Sequence, residues 1–129
     1  MYQSYYDLAG GAPTFRKLAA VFYARVFADP VMVPLFRDPT EDHVGRMALW
    51  LAEFFGGPAE HSRQRGGFVT VAHVHHVLEI SDTQREHWIS HMLAACHEIE
   101  LPAEVMDFFE PHIHFGARAA QGSPRRFGR

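Results

Sequence analysis

Apolar residues in this chain recur at three- and four-residue steps in four stretches, each closed by glycine or proline, and no stretch reads convincingly as a strand. That spacing puts the apolar side chains of each stretch on one face of an α-helix. The first runs from about Pro13 to Ala28, with Phe15, Leu18, Ala19, Phe22 and Val26 inward. Gly10-Gly11 precede it, and Asp29-Pro30 end it because proline cannot donate to the helix ladder. An apolar connector, Val31 to Phe36, leads to the polar break Arg37 to Thr40. Thr40 or Glu41 opens a second helix to about Phe55, with an inner face of Val44, Met47, Ala48, Leu51 and Phe55. Gly56-Gly57-Pro58 stop it sharply.

Residues 59–73 carry Gly66-Gly67 and little periodicity, which predicts a long loop. Loops of that length inside a compact domain are more often functional than incidental. A short helical or irregular piece around Val71 to Val77 follows, bearing His73, His75 and His76. Ser81 with Gln84 three positions on is a capping-box signature for the third long helix. Its stripe is Trp88, Met92, Ala95, Cys96 and Ile99, and Pro102 closes it. The last helix, about Ala103 to Ala120, turns Val105, Phe108, Phe109 and Ile113 inward and carries Pro111, where a kink is expected. Helices joined by such breaks, with no βαβ alternation, give an all-α class. Residues 1–120 form one domain on this reading, and the polar tail 121–129 is expected to be disordered.

Composition narrows the function classes. The 129 residues suffice for one buried core, and 47% hydrophobic with 21% charged is ordinary for a globular chain. A formal net charge of -3 gives no steering field for nucleic acid or an anionic membrane. No apolar run reaches bilayer length, and MYQSYYDLAGG lacks the regions of a signal peptide. The single cysteine, Cys96, excludes an intrachain disulfide and a Cys-rich zinc site, and points to a reducing, cytoplasmic compartment. Read as exposed, the Cys96 face and the tail offer surfaces for association, leaving monomer and homodimer open. Two counts are high: 11 Phe and 10 His. Surplus Phe suits a core wrapped around something large and flat, and surplus His suits metal or haem ligation, although surface histidines give the same count.

An ordered set of short motifs sharpens this. It comprises YDLAGG before the first helix, Phe22-Tyr23, PLF ending at Phe36, and WLAEFFGGP from Trp50 to Pro58. It continues with QRGG from Gln64, HHVLEIS from His75 to Ser81, and Trp88 early in the next helix. In these motifs, over about Tyr6 to Ala120, the chain resembles the truncated haemoglobins, specifically their group II. The resemblance implies a shortened globin fold, two helices over two around haem b (iron protoporphyrin IX). A loop replaces most of the helix that bears the proximal histidine.

The resemblance also implies roles. His75, with Ile80 following, fits the iron-ligating histidine, whose second ring nitrogen usually bonds a carbonyl. His73 or His76 is the alternative, because this loop contains a one-residue insertion relative to the family. Tyr23, beside core residue Phe22, takes the distal position, where its buried hydroxyl needs a partner; a hydroxyl at the surface is the competing reading. Trp88 directs its indole N–H to the ligand, or is core. His43 takes the distal gate, where it would bond the ligand, close the pocket or coordinate iron, unless it simply faces solvent. Met47, one turn on, is a pocket wall, and Phe36 stacks on the haem edge. Leu51, Ile80 and Met92 are apolar haem contacts or plain core. Arg46 and Arg65 stand at propionate-binding positions, and His61 occupies a place where the family has a tyrosine.

The ligands implied are oxygen, carbon monoxide and nitric oxide. With a reductase supplying electrons, nitric oxide dioxygenation or peroxidase-like chemistry follows. Two readings compete. A non-haem metal protein would use His87 and His91, four apart on one helix, although no carboxylate or Cys set is seen to complete a site. The other is a cofactor-free helical interaction module. A haem absorption band excludes both.

Overall fold

The computed structural model describes residues 4–36, 42–65 and 79–121. These residues form helices and connections, with no strand among them. The helices are α1 (Tyr5–Ala9), α2 (Ala12–Phe27), α3 (His43–Phe54), α4 (Glu60–Arg65), α5 (Asp82–Glu98) and α6 (Ala103–Gln121). A 3₁₀ turn, Val33–Leu35, follows α2. α2 packs on both α3 and α5, α5 packs on α6, α1 leans on α6 and α4 on α3.

The stripe read on α2 is the centre of the core. Phe15, Leu18, Ala19, Phe22 and Val26 are all completely buried. Facing them are Leu51 from α3, Met92, Ala95 and Cys96 from α5, and Val105, Phe109 and Ile113 from α6. α5 begins on the capping box: Gln84 N–H donates to Ser81 Oγ at 3.0 Å, and Ser81 N–H to Gln84 Oε1 at 3.0 Å. α6 continues through Pro111 to Gln121, whose amide meets Asp82 (2.7 Å) and Arg85 (2.7 Å) at the start of α5.

Two of the motifs meet in space. Tyr6 N–H donates to Phe55 O at 2.9 Å, and the Tyr6 ring lies over Gly57. A Cβ on Gly57 would sit 2.5 Å from Tyr6 Cδ1 and 2.9 Å from the Ala52 carbonyl oxygen, closer than real side chains come. The tyrosine of YDLAGG and the second glycine of FFGGP are therefore one packing unit. Gly57→Ala is expected to destabilise the fold by about 1–3 kcal/mol through overpacking, read as a lower urea midpoint. Gly10, at φ +114°, closes α1 in the left-handed region.

Much of the phenylalanine surplus packs on itself. Phe15–Phe55 (4.9 Å between ring centres), Phe55–Phe109 (4.7 Å) and Tyr5–Phe108 (4.2 Å) weld α1, α2, α3 and α6 together at one end.

Three expectations are corrected, and α1 adds a helix that the spacing does not signal: Ser4 Oγ caps it by accepting from Asp7 N–H, but five residues are too few to show a period. Residues 59–73 are not all loop, because α4 occupies Glu60–Arg65. Glu53 anchors that helix from outside by accepting from Ser62 N–H at 2.8 Å and from the Ser62 hydroxyl. α3 begins at His43, not at Thr40 or Glu41, with Asp42 as its cap accepting from Gly45 N–H at 2.9 Å. Cys96 is fully buried, so no exposed face exists there, and burial pushes its thiol pKa up to about 12.

Candidate functional site

A second aromatic cluster joins the end of α2, the connector and the start of α3. Tyr23 lies on the buried face of α2 and is 8% exposed. Its ring centre is 5.6 Å from that of Phe36 and 5.6 Å from that of His43, while Phe36 and His43 are 5.1 Å apart. Phe27 packs against all three rings. Chain direction explains the convergence. Asp29-Pro30 end α2, and Leu35 N–H to Met32 O and Phe36 N–H to Val33 O curl the connector so that Phe36 returns to α2. Asp42 then starts α3 with His43 as its first helical residue.

Trp88 joins from α5 through Phe22, at 5.5 Å and 69°, the edge-to-face arrangement that aromatic rings prefer. Phe22 also meets Tyr23 edge-on at 4.9 Å. Tyr23, Phe36 and His43 thus meet one another directly, and Trp88 reaches them through Phe22, which brings a phenol, an imidazole and an indole to one aromatic cluster. Such a set can donate hydrogen bonds to a small ligand that gains negative charge.

Of the other residues singled out, Met47 and Leu51 continue the α3 face that His43 begins, Met47 half-buried and Leu51 fully buried. Met92 is fully buried in α5. Ile80 and Arg46 are half-buried. His61, on α4, is 5% exposed, so the histidine standing in place of a tyrosine is an interior residue. His75, with its neighbours His73 and His76, lies outside the described residues, as does the side chain of Arg65. A planar apolar cofactor fits what is described: an aromatic cluster beside apolar side chains along one face of α3.

A third group was missed in the sequence. His87 and His91 do have a carboxylate between them, Asp29, which comes from just past the end of α2. Asp29 Oδ2 is 2.7 Å from His87 Nδ1 and 2.6 Å from His91 Nε2, while Val31 N–H donates to Oδ1 at 2.9 Å. Hydrogen bonds from His87 first and His91 next hold the Asp29 carboxyl well below the usual carboxylate range. It is separated from these partners by 58 and 62 positions, and no spacing rule reaches that far.

Comparison with known proteins fixes the family. A family model described as bacterial-like globin matches residues 4–121. The chain belongs to the bacterial-like globin family. This globin is 24% identical over 108 residues to the group 2 truncated hemoglobin YjbI of Bacillus subtilis (strain 168), covering 84% of this chain and 81% of that protein. It is similar to the solved hemoglobin of the thermophilic phototroph Chloroflexus aurantiacus, at 33% identity and a TM-score of 0.87, covering 95% of this chain and all of the other. The group II truncated hemoglobin of Bacillus anthracis superposes at a TM-score of 0.87 with 21% identity, over 99% of this chain and 98% of the other. The architecture is the two-over-two helical sandwich of truncated globins, as the sequence motifs imply. Haem as cofactor and a small diatomic gas as ligand follow from membership of this family. No described helix is long and apolar enough to cross a membrane.

Proposed function

We propose that this globin holds haem b through His75 and binds oxygen, carbon monoxide and nitric oxide in a pocket walled by Tyr23, His43 and Trp88. The observation that carries the reading is the convergence of Tyr23, Phe36 and His43, with ring centres 5.1–5.6 Å apart. When bound, haem supplies the iron at which the gas is taken up. His75 is the residue that would hold that iron, with its second ring nitrogen oriented by a hydrogen bond.

This chain's own side chains would do the rest. The Tyr23 hydroxyl, the Trp88 indole N–H and the His43 imidazole act as preorganised donors for a ligand atom that gains negative charge. In a site with little water such donors act strongly. Phe36, Met47, Leu51, Ile80 and Met92 would hold the haem with apolar side chains. Arg46 and Arg65 pair with the propionates. Residues 1–120 are the unit that carries this function, and the protein works in the cytoplasm as a monomer or homodimer. A reductase that keeps the iron ferrous would extend binding into nitric oxide dioxygenation or peroxidase-like turnover.

Extraction of the pigment is the test of the cofactor assignment. Acidified acetone is expected to release it from the chain, because His75 alone bonds it, and the extract in alkaline pyridine should show the spectrum of protohaem. A pigment that stays attached to the polypeptide, or one with another porphyrin's spectrum, overturns haem b.

A further inference from the structure

Asp29, His87 and His91 bring one carboxylate oxygen and two imidazole nitrogens together, all within 4.8 Å of one another. We propose that these three residues form a surface site for one divalent transition-metal ion of the zinc, nickel or copper class, separate from the haem site and independent of how haem is held.

The backbone builds the arrangement. His87 and His91 are one helical turn apart on α5 and point the same way. Asp29 lies two positions past the end of α2. Its Oδ1 is occupied by Val31 N–H, so Oδ2 alone faces the two rings. The carboxylate is therefore presented as a single-oxygen ligand of fixed orientation.

The donor set selects the ion. Two imidazoles and a carboxylate suit zinc, copper and nickel, whereas magnesium and calcium demand oxygen ligands. Zinc bonds nitrogen and carboxylate oxygen at about 2.0–2.2 Å in a tetrahedron, which places neighbouring ligand atoms about 3.3–3.6 Å apart. The present Oδ2–nitrogen separations are 2.7 and 2.6 Å. Admitting the ion requires these separations to open by about 0.6–1 Å, within the reach of side-chain torsions on a partly exposed surface. Asp29 and His91 side chains are 12% and 16% exposed and His87 is 39% exposed, so an ion can enter and keep water in its remaining positions.

Local charge favours a cation. The site lies just beyond the C-terminal end of α2, the negative end of its dipole. The nearby cation on α2, Arg25, is turned to Glu98 at 3.8 Å. Asp29, His91, Arg25 and Glu98 all border one open groove between α2 and α5. Binding exchanges the two hydrogen bonds that the rings give Asp29 for three metal bonds, and the protons that made them leave the coordinating nitrogens for solvent or the far ring nitrogens. The far nitrogen of His91, Nδ1, is buried without a hydrogen-bond partner among the described residues, so no bond is broken there.

Zinc chloride titrated calorimetrically into the haem-loaded chain tests the site, since loading keeps haem-ligating groups occupied. The expected result is one zinc ion per chain with a Kd below roughly 100 μM. His87→Ala, whose partly exposed side chain can be removed without opening the core, should weaken that binding at least about tenfold. Asp29→Asn should do the same while keeping the side chain's shape. His114→Ala, an exposed histidine on α6, should leave it unchanged. Absence of binding tighter than this limit in the wild type shows that the three residues are only a hydrogen-bonded tie and overturns the proposal. Equal zinc affinity in wild type and His87→Ala, or an equal loss in His114→Ala, overturns it as well.

Discussion

Replacing Tyr23 and Trp88 together by phenylalanine is expected to speed oxygen release by about tenfold to a hundredfold. On the proposed reading each side chain donates one hydrogen bond to a ligand atom that becomes negative on binding. Bonds to charged groups are worth about 1.5–3 kcal/mol, and each 1.4 kcal/mol is about tenfold. Tyr23→Phe removes only the hydroxyl and leaves the ring that meets Phe36 and His43 at 5.6 Å. Trp88→Phe keeps an aromatic ring next to Phe22 but removes the indole N–H. Because the two donors belong to one network, the double variant should fall short of the product of the single effects. Stopped-flow displacement of oxygen by carbon monoxide reads the rate. A double variant within twofold of the wild type would remove these residues from the binding account.

The long amphipathic helices were legible because their signals are local. The stripe from Phe15 to Val26 is buried throughout, and the Ser81–Gln84 pair is a capping box in space as well as in sequence. What escaped is what depends on distant partners. α4 is polar along its length and is held by Glu53, which lies before the glycine stop. Asp29 completes the His87–His91 pair only after α2 folds against α5, so a search by spacing passed it over. Cys96 sits in the α5 stripe, and that stripe faces the core, so the residue offers no exposed face. At the candidate site the aromatic identities of Tyr23, Phe36 and His43 were legible. Their convergence is a tertiary fact, produced by the turn after Asp29 and the late start of α3.

On the proposed reading one imidazole in the segment after α4, that of His75, holds the haem iron. Removing it has the largest effect anticipated for any single substitution. Without an axial nitrogen the iron must take water or another histidine, and both alter its electronic spectrum. His73 and His76 flank it in the sequence, so variants of all three discriminate. Haemin titrated into the purified apoprotein, followed at the haem band at about 410 nm, measures this directly. The wild type, His73→Ala and His76→Ala should take up one equivalent with the same band, while His75→Ala binds weakly or with a shifted band that added imidazole moves back. An unaltered spectrum in His75→Ala, or refusal of haemin by the wild-type chain, would contradict the account.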